Sequence, residues 1–279
     1  MARWPNGEAE DCKSFNAGSI PARASSLRQN ILEAGGWFLQ GRRATFATRL
    51  NALEKSSLMT TEFSQRRLNM VNAQLATNGI HSEALIESYK TLPRESFVDE
   101  QHRAFVCMDE DISLGNGRWL LEPMIEAKMI QEAVRGAGAK ALFLGASNLP
   151  AAAMLSQFLK AITLVESDAT IASAARVRLA DAGITNVAVA EGSYAQGFDR
   201  DAPYDVIFVP GAVAAIAPAL TAQLAVGGSL VCVLRENTRA QGRIVVARKD
   251  HDGAMTLTPM ADASTPYLPG FEPAVEFVF

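Results

Sequence analysis

Between residues 139 and 234, short apolar runs alternate with helix-period stretches. Ala141–Leu144, Ile162–Val165, Val187–Ala190, Tyr204–Val209 and Ser229–Leu234 read as buried strands. A small-residue helix is expected near Pro150–Phe158, a second over Ala169–Ala182 closed by Gly183, and a third around Ala215–Leu224. Strands alternating with helices predict an α/β fold with a largely parallel, doubly wound sheet. Gly227-Gly228 reads as a tight turn before the last of these strands. Beyond them the pattern changes. Arg243–Arg248 and Met255–Pro259 flank Asp252-Gly253, a hairpin signal, and the chain ends in an apolar tail from Tyr267 to Phe279.

Upstream, Glu62 to Asn78 carries Phe63, Leu68, Val71 and Leu75 at roughly helical spacing, with Asn78-Gly79 as the stop. Ser82 caps a second helix running to about Thr91. Pro93 to Val98 reads as a turn and short helix, Asp109 to Leu121 as a hairpin or loop around Gly115-Asn116-Gly117, and Glu122-Pro123 as the start of a helix reaching Val134. The chain therefore divides into a helical cap with a hairpin over 59–138 and an α/β core over 139–279. Arg66-Arg67 reads as a solvated helix face.

The chemistry converges on Ala141 to Gln157. There an apolar run ends at Gly145, a short turn follows, and a helix begins, as in the first strand, nucleotide loop and first helix of a Rossmann-type unit. About twenty residues on, Glu166 closes the next strand, where an acidic residue accepts hydrogen bonds from ribose hydroxyls. A plain solvated carboxylate is the other reading of Glu166. Gly145 is first of all a residue that ends a strand in a tight turn. Nucleotide loops need glycines so that the ligand can approach bare backbone, yet Ser147, Leu149 and Pro150 stand where an open turn is expected.

Composition narrows the partners. Residues 59–279 hold 18 basic against 25 acidic side chains, and an acidic body argues against nucleic acid. No apolar run approaches the length of a membrane span, so neither insertion nor a signal segment is expected, and the expected location is cytoplasmic. Cys12, Cys107 and Cys232 are too few and too scattered for a disulfide framework or a zinc site, and Cys107 and Cys232 read as small core residues. His81, His102 and His251 show no metal-ligand spacing and read as surface or loop residues.

Together these stretches resemble the protein-L-isoaspartate O-methyltransferases. The likeness rests on Arg67 to Leu75 (RLNMVNAQL), Gly79-Ile80, Pro93 to Val98 (PRESFV), Gly115-Asn116-Gly117 and Glu122-Pro123. Tyr204 to Val209 (YDVIFV) and Gln223 to Gly228 (QLAVGG) extend it. The resemblance implies a Rossmann-like class I methyltransferase with a seven-stranded, mostly parallel sheet. It implies S-adenosylmethionine as cofactor and a peptide carboxylate as acceptor. The cofactor set it assigns is Gly145, Glu166, Gly192 and Ser193. Three departures weigh against turnover. The family's acidic residue before the loop is Phe143, and its three alternating glycines are Gly145, Ser147 and Leu149. Its Thr-x-Ser beside the acceptor is Trp119-Leu120-Leu121, which offers no side-chain hydroxyl. Its Gly-Asp contacting adenine is Gly192-Ser193. Two readings follow, with no catalytic residue assigned in the first. One is a catalytically silent protein that binds no cofactor. It serves as an accessory subunit of a larger assembly, respiratory complexes among the plausible hosts. The other is an active S-adenosylmethionine-dependent enzyme repairing isoaspartyl residues. In the silent case the selected surface is expected at Trp119-Leu120-Leu121 and the Tyr267–Phe279 tail, docking a protein partner or covering the cleft.

Residues 1–58 show no clean periodicity and read as a disordered extension. A sharper reading exists. Trp4 to Ser25 back-translates, with one choice of codons, into a transfer-RNA gene. In it Ala17 to Pro21 gives a T-arm and Glu10 to Ser14 an anticodon arm with a cysteine anticodon. The expected start of the native chain is then Met59. Intact-mass measurement of the native protein is expected to show the shorter species; a mass near 29.9 kDa rejects it.

Overall fold

The cap begins with a continuous helical rod. Helix α1 covers 61–70, loosens into a π turn at Val71–Leu75, and closes with a 3-10 turn at Ala76–Asn78. Gly79, at φ +83°, ends it where a left-handed residue is needed. The computed structural model describes residues 61–135 and 139–274, so the readings of 1–58 and of Cys12 lie outside the described residues. Helix α2, Glu83–Thr91, starts as expected at Ser82, whose hydroxyl accepts the Leu85 amide at 3.3 Å. A 3-10 turn at Arg94–Phe97 leads to strands β1 (Ile112–Gly115) and β2 (Arg118–Leu120), an antiparallel hairpin turning at Asn116. Helix α3, Pro123–Arg135, completes the cap.

The core holds strands β3 (Lys140–Leu144), β4 (Ala161–Glu166), β5 (Val187–Glu191), β6 (Tyr204–Val213), β7 (Leu224–Leu234), β8 (Arg243–Lys249) and β9 (Met255–Asp262). They form one seven-stranded sheet in the order β5-β4-β3-β6-β7-β8-β9. The first five in that order are parallel, and β7-β8-β9 close the edge as antiparallel hairpins, the second turning at Asp252-Gly253. Helices α4 (Leu149–Leu155), α5 (Ala169–Asp181) and α6 (Pro218–Ala222) connect the parallel strands.

Alternation along the strands separates two cores. Ala141, Phe143, Phe208, Val231 and Val233 face the cap and pack with Leu75, Leu85, Ile130 and Met154. Leu142, Leu144, Ile207, Val209 and Cys232 face the other layer, with Leu220, Leu268 and Phe271. Burial pushes the Cys232 thiol up to about 12, as for an inert core residue. Cys107 is half-buried beside the hairpin, and its thiol is likewise raised by burial.

Three local expectations change. The helix expected over 215–224 shrinks to α6, because the Ala214 amide is held by the tail, donating to the Phe271 carbonyl at 2.8 Å, and Leu224 already belongs to β7; upstream, β6 runs on through Pro210-Gly211 to Val213. That extension is paired by the tail: Ala212 donates to the Pro266 carbonyl and Leu268 donates to that of Ala212, both at 2.9 Å. Gly227-Gly228 lies inside β7, where a side chain on Gly228 would meet the Ala225, Asp205 and Tyr204 carbonyls at about 3 Å. Arg67 is not solvated. It is buried and held by Glu95 at 2.6 Å, the Lys90 carbonyl at 3.1 Å and Ser64, because α1 lays that face against α2 and the Arg94–Phe97 turn; Arg66 does stay at the surface.

Within the cap, the Arg94–Phe97 turn is fixed to α3 by a wholly buried ion pair. Arg94 and Glu126 are both 0% exposed and in contact, and the Tyr89 hydroxyl donates to Glu126 at 2.8 Å. Burial works against the Arg94 charge, but the Glu126 carboxylate overrides it and holds the guanidinium ionised. Breaking a buried pair from one side is far costlier than replacing both members. Glu126→Leu is therefore expected to destabilise by about 3–5 kcal/mol, read from urea unfolding, whereas Arg94→Met with Glu126→Leu recovers most of the loss. Equal losses in both variants would show that the pair is not the anchor.

Candidate functional site

The turn after β3 sits at the C-terminal edge of the sheet, where open α/β sheets bind ligands. Gly145 adopts φ +83°, ψ 117°, and its amide donates to the Val165 carbonyl at 2.8 Å. The turn then becomes a 3-10 turn, Ala146–Asn148, and enters α4 with Leu149 and Pro150 buried. Asn148, 1% exposed, fastens three elements together. Its Oδ1 accepts the Leu121 amide at 2.8 Å, and its Nδ2 donates to the Trp119 carbonyl at 3.0 Å and the Pro210 carbonyl at 3.3 Å. Phe143 points the other way, into the cap-side core, stacked on Phe208 with ring centroids 5.2 Å apart.

Glu166, at the end of β4, is 0% exposed, so the solvated reading is overturned. It is surrounded by donors. Oε1 accepts from Arg118 Nη1 at 2.9 Å, the Tyr194 hydroxyl at 2.6 Å and the Asp168 amide at 2.9 Å. Oε2 accepts the Ala146 amide at 2.8 Å. Arg118 also donates to the Tyr194 oxygen at 2.9 Å, closing a triangle. Burial pushes the Glu166 carboxyl up. The Tyr194 hydroxyl, the two amides and Arg118 together outweigh it and hold the carboxyl below the usual range. Burial and the Glu166 hydrogen bond raise the Tyr194 phenol, which stays a neutral donor.

Of the expected cofactor set, the fold brings Gly145 and Glu166 together. Gly192 supports them from behind, its amide donating to the Glu166 carbonyl at 3.0 Å, while Ser193 is exposed and starts the 3-10 turn Tyr194–Gln196. Sequence reasoning missed Arg118, Tyr194 and Asn148. The Tyr267–Phe279 tail, as far as Ala274, is not a free surface. Leu268 and Phe271 are buried, Tyr267 donates to the Arg235 carbonyl at 2.8 Å, and Leu268 lies over the site. A side chain on Gly145 would meet Leu268 Cδ1 at 3.4 Å and the Tyr194 ring at 3.7 Å. Leu120 and Leu121 are likewise buried, because the hairpin packs them inward. Residues 275–279 lie outside the described residues. Among the described residues no cluster of three or more histidine, cysteine or acidic side chains could hold a metal.

A seven-stranded, mostly parallel sheet with its ligand edge at Gly145 and Glu166 defines a class I methyltransferase fold. The family model "Protein-L-isoaspartate(D-aspartate) O-methyltransferase" matches residues 66–270, and the chain belongs to that family. It is 34% identical to a protein-L-isoaspartate O-methyltransferase of Brucella anthropi, over 67% of this chain and 86% of that one. It is 32% identical to protein-L-isoaspartate O-methyltransferase 1 of Rhodopseudomonas palustris, over 69% and 78% respectively. A solved protein-L-isoaspartate O-methyltransferase aligns with a TM-score of 0.63 at 21% identity, covering 74% of this chain and 67% of that one. A putative one from Plasmodium falciparum, solved with S-adenosyl-L-homocysteine, aligns at 0.56 and 13% identity, covering 74% and 97%.

At this edge Glu166 Oε1 carries three of the contacts and Oε2 only the Ala146 amide, while Leu268 and Tyr194 lie close to Gly145.

Removing the Tyr194 hydroxyl tests the triangle. Because the Glu166 carboxyl is depressed in the fold, its stabilisation is present above the ordinary glutamate value of 4.5 and lost as pH falls through the folded value. Tyr194→Phe is expected to cost about 1.5–3 kcal/mol at neutral pH and to move the acid-induced loss of stability to higher pH. Superimposable stability–pH profiles for the two proteins would contradict the assigned bond.

Proposed function

We propose that this chain keeps the methyltransferase fold of its family but does not run the isoaspartyl repair reaction in the closed form described above. The carrying observation is Glu166: of the carboxylate that would take the cofactor's ribose hydroxyls, Oε1 is occupied by Arg118, Tyr194 and the Asp168 amide, and Oε2 already accepts the Ala146 amide. Support also comes from Phe143, Ser147 and Leu149 in the donor loop and from Trp119 and Leu121 at the two hydroxyl positions beside the acceptor. A binding role in a larger assembly is the use left to such a fold. Its contact surface is then sought away from Leu268 and Phe271, which the protein's own core uses.

A second reading has a specific observation behind it. Relatives that carry the name of the repair enzyme share 32–34% identity over more than three quarters of their length. Glu166 is also retained in ionised form. Under this reading the protein is an S-adenosylmethionine-dependent carboxyl methyltransferase, and Arg118 and Tyr194 must leave Glu166 before the cofactor enters.

Titration of S-adenosylmethionine into the purified full chain decides between them. A ligand at one hundred times its dissociation constant stabilises by about 2.7 kcal/mol. We expect no shift in melting temperature at millimolar cofactor and no methyl transfer to an isoaspartyl peptide. A saturable shift together with peptide methylation would establish the second reading instead.

A further inference from the structure

On the layer away from the cap, the face of the sheet over β7, β8 and β9 is covered only in part. Helix α6 is five residues long, and beside it lies a cavity of about 300 Å³. Leu234, Ala247, Met255 and Leu257 form its sheet side, and the segment after β6, from Ala214 to Ile216, forms a wall. None of its lining residues is among the partners of Glu166. Leu257, on the edge strand β9 and opposite Ala247, is 48% exposed. The chain's own tail arrives at this wall. The Phe271 carbonyl accepts the Ala214 amide at 2.8 Å, so the tail leaves the fold beside a residue that lines the cavity. The residues that follow the described part of the tail are Val275, Glu276, Phe277, Val278 and Phe279. Alternate side chains of an extended segment share a face, which puts Val275, Phe277 and Phe279 on one wholly apolar side. The distance is within reach. From β6 to β9 there are three strand spacings, about 14 Å at about 4.8 Å each. The six residues from Phe271 to Phe277 span up to about 20 Å.

We propose that residues 275–279 lie across this cavity, with Phe277 and Phe279 seated on Met255 and Leu257, so that the chain closes an apolar groove with its own tail. The short α6 leaves that part of the sheet bare, and two aromatic rings supply the apolar area to cover it. A second copy of the chain is the competing occupant. The tail is favoured because it is already bonded at the wall and loses no translational freedom on docking. A segment tethered so closely acts at about millimolar effective concentration, so a free peptide meets the groove already filled. The inference holds whether or not a cofactor enters the cleft over Gly145.

The test is calorimetric titration with an acetylated peptide of residues 272–279. The full chain is expected to bind it about tenfold or more weakly than a full-length variant carrying Phe277→Ser and Phe279→Ser, whose groove is vacated. That variant should take up one peptide per chain, and adding Leu257→Arg to it should abolish binding. Leu257 is half exposed on an edge strand, so its replacement is expected to leave circular dichroism and melting unchanged. Should the serine variant fail to fold, Leu257→Arg alone decides: chymotrypsin, followed by mass spectrometry, should cut after Phe277 about tenfold or more faster in Leu257→Arg than in the unaltered chain. Equal peptide binding by the full chain and the serine variant would mean that the tail lies elsewhere. No binding by the serine variant, or binding that survives Leu257→Arg, would overturn the assigned groove, as would equal cleavage rates. A concentration-dependent dimer of the full chain that the serine variant loses would give the groove to a second copy and reject the proposal.

Discussion

A carboxylate with no access to water, at the ligand edge of the sheet, governs how the rest of the site is arranged. An ionised group in that position is tolerated only where its lone pairs are matched by donors. Glu166 obtains them from four places in the chain: the hairpin through Arg118, the turn after β5 through Tyr194, the loop after β3 through Ala146, and its own strand end through Asp168. Each contact places an element. Arg118 brings the hairpin onto the sheet edge, and Tyr194 brings its ring over Gly145. The same carboxylate is the group to which the family resemblance assigns cofactor contact. Folding and ligand binding therefore compete for one set of lone pairs.

How firmly the chain holds that position depends on what would replace each donor. A ribose offers two hydroxyls, fair substitutes for the Tyr194 phenol. It offers no positive charge to replace Arg118. Hydrogen bonds to charged groups contribute about 1.5–3 kcal/mol each, so opening the triangle is a matter of a few such bonds. Arg118 is also not sealed in: its side chain is 13% exposed and could turn to solvent on leaving. Tyr194, 4% exposed, has no such outlet unless Leu268 moves, and Leu268 is tied by its amide to β6. Closure thus rests more on the tyrosine and the tail than on the ion pair. Asn148 adds a second restraint by joining the hairpin, the loop and β6 through one side chain.

The sequence disclosed what is local or periodic. Strand and helix positions, the serine cap at Ser82, the Asp252-Gly253 hairpin and the Glu166 position all follow from spacing and turn chemistry. What it could not disclose are partners brought together by the fold. Arg118 lies 48 residues before Glu166 and Tyr194 28 residues after it, and neither stands in a pattern that marks it. Arg67 looked solvated because a helix pattern records which face a residue occupies, but not that Glu95 waits on the neighbouring element. The tail was legible as apolar, and covering the cleft was one of its two expected roles. The pairing that holds it there was not legible, because it depends on β6 running through Pro210-Gly211 beyond Val209, where the expected strand ends.

Glycines at the site carry a final distinction. Gly145 has a backbone angle that disfavours any side chain, and Leu268 and Tyr194 lie close to where one would be. Gly211 has an ordinary backbone, yet a side chain there would meet Leu268 at 3.2 Å. In a nucleotide-binding loop, glycines make room for a ligand. Here both make room for the protein's own tail. Retention of Gly145 would follow even if no cofactor ever entered, so the glycine alone says nothing about binding. Glu166 likewise has a use within the fold. Exchanging it together with Arg118 for apolar residues would leave the Ala146 and Asp168 amides and the Tyr194 hydroxyl without their acceptor. The carboxylate therefore serves the turn after β3 and the start of α5 whether or not a cofactor enters.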